Sequence, residues 1–468
     1  MEPSVFKSIL GDLVSFSGRY ARLFGRPEHK KHALAYLRGL LGPADRKSVE
    51  PIALEEEATV RTLQHFIGQA RWRDERVLKE HQRHVSETLG RSDGVIVFDG
   101  SSFPKQGGHS VGVARQWCGN RGKEENCQVG MFLGYASERG HTLLDRRLYL
   151  PKAWTQDVRR RRECHVPDIV EFKTGWELAW EMYQEARRAG VPHSWVTGDE
   201  EFGRIHALAD FLHAQGQAYI FEVPSDTSVY TRPPHYRKAR QRSLTGHPAQ
   251  RPRLVGGPKP PIDVREVVET IKPGQWKRYR IRDGEKGPLE VDAVRIQVWL
   301  SRDLMPGRPA WLLITRGRGP DPEVKYFVAE ASWMLALPEF LRAAFSRWSI
   351  EQCFEQGKQE LGMDQYETRS WAGWHHHMTM VLLAHHFLVL ERQKRGEKGG
   401  RTHRRGNRSG SASGAGAGGR APRTAMSEDP LPDPGAPAGS PVALPRSTPQ
   451  GSNTGLGEYS LTVPNVAL

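Results

Sequence analysis

Cysteine is scarce in this chain, and the few cysteines stand far apart. The 468 residues include four, none of them in a Cys-x-x-Cys pair: Cys118, Cys127, Cys164 and Cys353. A disulfide framework is typical of short chains dense in cysteine, and a cysteine-based zinc site needs closely spaced pairs. We therefore expect free thiols, as in a reducing cytoplasm.

Long apolar segments are also missing. The longest apolar run, MTMVLLAHHFLVL at 378–390, contains two histidines and is shorter than the ~20 residues that a membrane-spanning helix needs. The first residues, MEPSVFKSILGDLVSF, lack the basic region and apolar core of a signal peptide. We expect a cytoplasmic protein with no membrane partner.

Acidic side chains are outnumbered by basic ones. Asp and Glu total 54 against 68 Lys and Arg, which gives a net charge of +14, and the pI is near 9.7. Such an excess of positive charge favours a polyanionic partner, most simply nucleic acid. Charge alone does not distinguish DNA from RNA, so the motifs must do so.

The first half of the chain changes from a helical to an α/β pattern. Residues 1–90 carry apolar side chains at helical spacing, which is typical of a packed bundle and also of a helical DNA-binding region. Residues 91–225 alternate short apolar strands with amphipathic helices. This alternation predicts the first part of an α/β domain, with a mixed sheet flanked by helices.

The second half contains three further segments. Residues 226–336 predict a β-rich insertion with an exposed basic loop at 231–253, and helical signals return over 337–391. Residues 392–468 form a basic, then Pro-rich, low-complexity tail. Because this tail has little to bury, we expect residues 392 to about 456 to be disordered.

Three acids stand at positions suited to chemistry. Asp99 ends the apolar run VIVFD, Asp199 ends SWVTGD, and Glu351 lies on a late helix. Ligands gather at the ends of buried strands in α/β folds. Three carboxylates offer only oxygen ligands, which Mg²⁺ and Mn²⁺ prefer. Such a cluster can hold two ions ~3.5–4 Å apart that activate the attacking oxygen and steady the leaving oxygen of a phosphodiester.

Two cations share one face of the helix with Glu351. Arg347 is displaced from it by about 40° and Lys358 by about 20°, because each residue advances the helix by about 100°. In a solvated helix the same spacing gives only a weak i,i+4 ion pair. Beside a metal cluster, the two cations would face the phosphates that the ions engage.

These residues resemble the DDE transposases of bacterial insertion sequences. The resemblance is to the branch that has a β-rich insertion before the last acid and a Tyr-x2-Arg-x3-Glu-x6-Lys signature. Arg347, Glu351 and Lys358 keep that spacing, whereas Ala344 occupies the Tyr position, with Phe345 beside it. Within this branch, FDGSSFPKQGGHSVGVARQWCG, GDEEFG and MDQYETRSWAGWHHHM are similar to insertion-sequence family seven-zero-one.

The resemblance implies a ribonuclease H-like mixed sheet flanked by helices and interrupted by the insertion. It implies that Asp99, Asp199 and Glu351 are the catalytic, metal-binding triad for two Mg²⁺ or Mn²⁺ ions, and that Arg347 and Lys358 contact DNA phosphates. The expected activity is DNA cleavage and strand transfer at terminal inverted repeats, with double-stranded DNA as partner and target. A homodimer would pair the two ends, in the nucleoid of a bacterial cytoplasm.

Two other hypotheses stay open. A decayed or exapted transposase would bind DNA without cutting it, which Ala344 in the Tyr position and the unusual tail favour slightly. A glycoside hydrolase would use two of the carboxylates, but it would leave the charge of +14 unexplained.

Several neighbouring groups are candidates for a functional role but also have ordinary structural explanations. Glu200 and Glu201 are candidate ligands, although solvated positions on the turn are favoured. His375–His377 cannot all share one ion, because successive helical side chains diverge by ~100°. The RRRR run at 159–162 and the loop at 231–253 are candidate DNA clamps or solubilising groups. Lys105 is either a contact to the substrate strand or a surface lysine.

Overall fold

The computed structural model describes most of the chain up to residue 396. The described ranges are 3–233, 235–237, 253–254, 260–284, 287–302, 305–319 and 322–396, with side chains from residue 7 onward. Most of the predicted basic loop, and the predicted tail from residue 397 onward, lie outside these ranges. The tail was predicted to begin at residue 392, but the last helix continues to Lys394, where Arg392 pairs with Glu360. The division into domains stays a prediction.

The first ninety residues are helical. After α1 a single 3₁₀ turn, Arg22–Phe24, leads into the second helix. The helices are α1 Pro3–Ala21, α2 Pro27–Leu41, α3 Val49–Glu55, α4 Val60–Gly68 and α5 Asp74–Thr88. Their apolar side chains, at helical spacing, are buried in one cluster with residues of the sheet and of the late helices.

The next segment forms the centre of a large sheet. Its elements are β1 Val95–Pro104, β2 Ala114–Cys118, β3 Lys123–Ser137, β4 Gly140–Leu148, α6 Lys152–Gln156, α7 Val158–Glu163, α8 Gly175–Arg188, β5 Trp195–Gly198, α9 Glu200–Gly203, α10 His206–Ala214 and β6 Ala218–Val223. Strand β3 pairs antiparallel with both β1 and β4, whereas β5 is parallel to β1 and β6. The local order is therefore β4-β3-β1-β5-β6.

Most strands of the predicted β-rich segment extend the same sheet, whereas Tyr236–Arg237 and Arg253–Leu254 pair with each other in a separate two-stranded sheet. The elements of this segment are β7 Ser228–Tyr230, β8 Tyr236–Arg237, β9 Arg253–Leu254, β10 Ile262–Asp263, α11 Val264–Glu269, β11 Lys277–Gly284, β12 Gly287–Arg302, β13 Met305–Gly317 and β14 Val324–Glu330. Strand β14 pairs antiparallel with β6, and the order continues through β13, β12, β7 and β10. The predicted mixed α/β architecture, a large mixed sheet flanked by helices, is confirmed.

Three helices complete the described chain: α12 Leu337–Phe345, α13 Trp348–Gln359 and α14 Trp371–Lys394. Helix α13 approaches the sheet closely, because β3 has Gly134 where the two meet. A Cβ at this glycine would lie 3.0 Å from Cδ1 of Ile350, which is tighter than ordinary van der Waals contact. Because Gly134 has no side chain, α13 packs close to the sheet at Ile350, the residue before Glu351.

Helix α14 is buried on nearly all sides and carries histidines into the core. His377 Nδ1 lies 2.9 Å from the hydroxyl of Tyr36, and His376 Nδ1 lies 2.9 Å from the carbonyl oxygen of Ile67. Trp72 stacks on His376 at 3.8 Å. Each imidazole thus has its own partner. None of the helices in the described residues is both long and apolar enough to cross a bilayer.

Buried histidines predict loss of stability in acid. Burial lowers the pKa of His377 and His385 to about 3 and that of His81 to about 4, whereas an unfolded histidine titrates near 6.5. Stability is therefore complete above about pH 6.5 and falls as the pH drops toward 4. We expect each such histidine to cost about 2 kcal/mol of unfolding free energy between pH 7 and pH 5.

Urea unfolding at pH 7 and pH 5 measures this loss. The matched variant is His385→Asn, whose pH dependence should be weaker by one proton. An equal pH dependence in the two proteins would contradict the assignment to His385.

Candidate active site

Asp99 and Asp199 extend from neighbouring parallel strands. Phe98 of β1 is paired with Gly198 of β5, so the acids that follow them lie at equivalent positions. Asp99 Oδ1 accepts a hydrogen bond of 2.7 Å from the backbone N–H of Gly100. Asp199 begins α9, and its Oδ1 accepts from the backbone N–H of Glu201 at 3.0 Å. Both carboxylates are thereby held by the backbone.

The surroundings of these two acids disfavour their ionised forms. Burial raises the pKa of Asp99 to about 7, and the neighbouring Asp199 adds to the rise while Arg347 opposes it. Burial also raises the pKa of Asp199, with a further contribution from Glu201. Ionising both carboxylates is therefore costly unless a cation joins them.

Arg347 connects the strand-end acids to Glu351. Its Nη2 lies 2.7 Å from Glu351 Oε1, its Nη1 lies 3.9 Å from Asp99 Oδ2, and its Nε lies 3.6 Å from Glu222 Oε2. The Arg347 side chain is 23% exposed, whereas that of Glu351 is 46% exposed. The structure thus brings Asp99, Arg347 and Glu351 together, as the sequence predicted.

Glu222 was missed by the sequence reasoning. It lies on β6, the third parallel strand, and its Oε1 accepts from Lys325 Nζ of β14 at 3.2 Å. Its side chain is only 13% exposed. The signal was present, because AYIFEV carries an acid near its end just as VIVFD and SWVTGD do.

Lys358 lies two turns after Glu351 and packs against an aromatic ring. Its Nζ is 5.4 Å from the ring centroid of Phe103. Burial lowers the pKa of Lys358, and the charges of Asp364 and Asp99 oppose this effect. It forms no ion pair within the part of the chain that the structure describes. A phosphate contact by Lys358 stays a prediction.

The remaining candidates take ordinary roles in the structure. Lys105 donates from Nζ to the carbonyl oxygen of Tyr366 at 3.0 Å, and burial lowers its pKa to about 8. Glu200 and Glu201 are exposed. The RRRR run lies on α7, where Arg159 is 88% exposed and pairs with Glu163.

The donor set at the sheet edge fits a hard divalent cation. Asp99, Asp199 and Glu351 supply only oxygens, and burial raises the pKa of both aspartates. Among the described residues, no three His, Cys, Asp or Glu side chains lie close enough together to hold one ion. Instead, the guanidinium of Arg347 supplies the positive charge between the acids.

The chain belongs to the DDE superfamily endonuclease family. The family model matches residues 19–288, which is more than half of the chain. The matched range contains Asp99 and Asp199 and ends before Arg347, Glu351 and Lys358. The family places the chain among nucleases.

The chain has a weak similarity to one solved nuclease structure. The NurA nuclease from Sulfolobus solfataricus is similar over 62% of this chain and 92% of its own, at 11% identity and a TM-score of 0.22. A TM-score this low does not establish a shared fold. No curated protein matches the chain.

The contacts of Arg347 predict its contribution to stability. Arg347→Gln leaves several part-buried carboxylates without their counter-ion, so we expect the free energy of unfolding at neutral pH to fall by about 1–3 kcal/mol. Urea unfolding measures the change.

Arg159→Gln is the matched control, because Arg159 also pairs with a glutamate four residues later but is exposed. We expect it to change the unfolding free energy by no more than about 0.5 kcal/mol. Equal losses in the two variants would show that the Arg347 contacts stabilise the fold no more than a surface pair does.

Proposed function

We propose that this chain is a transposase that cuts DNA and transfers the cut strand at the inverted-repeat ends of an insertion sequence. One observation carries the proposal. Asp99 and Asp199 lie at equivalent ends of parallel strands, and Arg347 joins Glu351 of the overlying helix to the same edge. Membership of the DDE superfamily endonuclease family supports the nuclease part.

The strand order supports a ribonuclease H-like core. Three antiparallel strands, β4, β3 and β1, are followed by β5 and β6 parallel to β1. Strands β7–β14 lie in the chain between β6 and α12, and so before Glu351. That position agrees with the branch of transposases in which an insertion precedes the last acid, including family seven-zero-one.

Asp99, Asp199 and Glu351 would hold the divalent ions, Mg²⁺ or Mn²⁺. When bound, such ions lower the pKa of water and stabilise the charge that develops on the leaving oxygen. The protein contributes preorganisation, because backbone N–H groups already fix both aspartates. The side chain of Glu222 is a second carboxylate beside Arg347. The guanidinium therefore retains a partner in the site when Glu351 binds an ion.

No side chain need act as the nucleophile in this reaction. Water attacks a phosphodiester and frees a 3′-hydroxyl, which then attacks DNA in turn. Arg347 and Lys358 would face the phosphates, Arg347 with two parallel N–H groups and Lys358 as a point charge. Pairing two transposon ends requires at least two copies of the chain, and the net charge of +14 favours DNA as the partner.

A decayed transposase that binds DNA without cutting is the second candidate. Ala344 stands in the Tyr position of the signature and is 3% exposed, so no hydroxyl is available there. Phe345 beside it is half-buried and also lacks a hydroxyl. A glycoside hydrolase is disfavoured, because the family is one of endonucleases.

Strand cleavage distinguishes these candidates. DNA duplexes that carry the element's inverted-repeat ends should be nicked at those ends in Mg²⁺ or Mn²⁺. Asp99→Asn, Asp199→Asn and Glu351→Gln should each lower the cleavage rate by at least about a hundredfold, because changes to groups merely beside metal ligands cost about 10- to 100-fold. A gel assay of labelled ends, with a parallel binding assay, measures both steps.

Glu355→Gln is the matched control for Glu351→Gln, because it lies one turn later on α13 and is exposed. Its cleavage rate should equal that of the natural protein. Tight end binding with no cleavage by any of the proteins would establish the decayed transposase instead. Cleavage that persists in a metal chelator would exclude the proposed triad.

Glu222 should affect the rate of cleavage rather than the affinity for DNA. Glu222→Gln removes the carboxylate that holds Arg347 independently of Glu351, so we expect the cleavage rate to fall about 10- to 100-fold. Glu323→Gln is the control, because Glu323 contacts the same lysine, Lys325, at 3.5 Å but is 74% exposed. Equal rates for the two variants would show that Glu222 does not position Arg347.

A further inference from the structure

Arg282 reaches the candidate active site from the β-rich insertion. It lies on β11, which pairs antiparallel with β12, and the register of that pairing shifts between Arg280 and Arg282. A bulge of this kind turns the following side chain toward a new direction, and bulges are common beside active sites. Arg282 is the first paired residue after this irregularity.

The guanidinium of Arg282 stacks on the first residue of α13. Its Cζ lies 3.3 Å from the ring centroid of Trp348, which is 36% exposed. Trp348 precedes Glu351 by three residues, so the two lie on neighbouring positions of the helix surface. The stack thus stands beside the last acid of the triad, on the side that faces the insertion.

Arg282 differs from its neighbours in lacking an anionic partner. Arg278 lies 3.9 Å from Asp292, and Arg280 pairs with Asp283. Arg282 forms no ion pair within the described residues, although the charge of Glu351 acts on it. Its Nη1 is buried and has no hydrogen-bond partner. A buried donor without an acceptor is costly, so the arrangement is incomplete as it stands.

Space for a ligand adjoins this cation. A cavity of about 380 Å³ lies elsewhere on the sheet, but one of about 290 Å³ lies between β11 and α12, and Arg282, Arg342 and Ser346 are among the residues that line it. Ser346, the residue before Arg347, lines the second cavity. An anion in this cavity would meet the Arg282 guanidinium.

We propose that Arg282, held flat by Trp348, is a phosphate-binding position for the DNA backbone on the insertion side of Glu351. A phosphate offers acceptors to the unpartnered N–H groups, and a guanidinium binds it with two parallel hydrogen bonds. Stacking fixes the plane of the guanidinium, so less freedom is lost on binding. The site would be additional to Arg347 and Lys358, and it rests on the proposed function only in taking DNA as the substrate.

The salt dependence of DNA binding tests the proposal. Binding of a mixed-sequence DNA duplex is measured in chelator, without cleavage, over a series of salt concentrations. Each phosphate neutralised contributes about −0.9 to the slope of log K against log salt. Arg282→Gln should therefore weaken binding and make the slope shallower by about one unit. Arg282→Lys should keep the slope, because it keeps the charge.

Two further variants separate this position from general basicity and from folding. Arg278→Gln changes a cation of the same strand that lies near an aspartate and outside the cavity, and it should leave the slope unchanged. Trp348→Leu removes the stack but not the charge, so it should weaken binding without changing the slope. Urea unfolding checks each fold. If Arg282→Gln does not fold, the DNA affinities of Arg282→Lys and Trp348→Leu test the proposed phosphate position instead.

The outcomes distinguish this inference from the proposed function. A natural protein that binds no DNA would overturn both. DNA binding with the same slope and affinity in the natural protein and in Arg282→Gln would overturn the phosphate position alone. A slope lowered equally by Arg278→Gln would show a diffuse basic strand in place of one defined position. Natural affinity in both Arg282→Lys and Trp348→Leu would also overturn the inference.

Discussion

Arg347 places one guanidinium among carboxylates that come from three elements, β1, β6 and α13. Without it, Asp99, Glu222 and Glu351 would repel one another in a partly desolvated space, where the cost of like charges is greatest. Asp199 adds to that cost, because its charge raises the pKa of Asp99. The sheet edge is thus rich in negative charge, which Arg347 and, at Glu222, Lys325 balance in part.

The metal binding that we propose would relieve this imbalance. A group of acids that the protein fully neutralised would form a stable structural network and would have little affinity for further cations. Here burial, with the neighbouring charge of Asp199, raises the pKa of Asp99 to about 7, although Arg347 opposes the rise. A divalent ion would replace the missing charge, and the flexible side chain of Arg347 can remain beside Glu222. In the proposed function, the carboxylates that a cation would stabilise lie where the DNA phosphates approach.

The sequence predicted the parts of this arrangement that depend on local periodicity. Asp99 and Asp199 follow from the rule that acids ending buried strands meet at one sheet edge, and Arg347 and Glu351 follow from helical spacing. Glu222 obeys the same strand-end rule. Glu222 was not predicted, because AYIFEV ends in Val223 and the acid therefore lies one residue before the end of the strand. The mixed sheet itself was predictable, since short apolar runs alternate with amphipathic helices.

Other features depend on contacts that no local pattern encodes. The pairing of β14 with β6 makes the insertion part of the same sheet, and a sequence of strands does not state which edge they join. The histidines of α14 also required the structure, because only packing shows that each imidazole has a separate buried partner. Their spacing excluded a shared ion but could not supply those partners.

Arg282 shows how the insertion and the catalytic edge are coupled. A regular β11 would carry Arg280 and Arg282 on the same face of the strand, because side chains alternate with a period of two. The shift in register breaks that equivalence, so one arginine pairs with a nearby aspartate while the other crosses to Trp348 on α13. The first turn of α13 therefore receives cations from two sources, Arg347 from its own chain segment and Arg282 from the insertion. Both cations therefore lie near Glu351, one from each side of the boundary between the two segments.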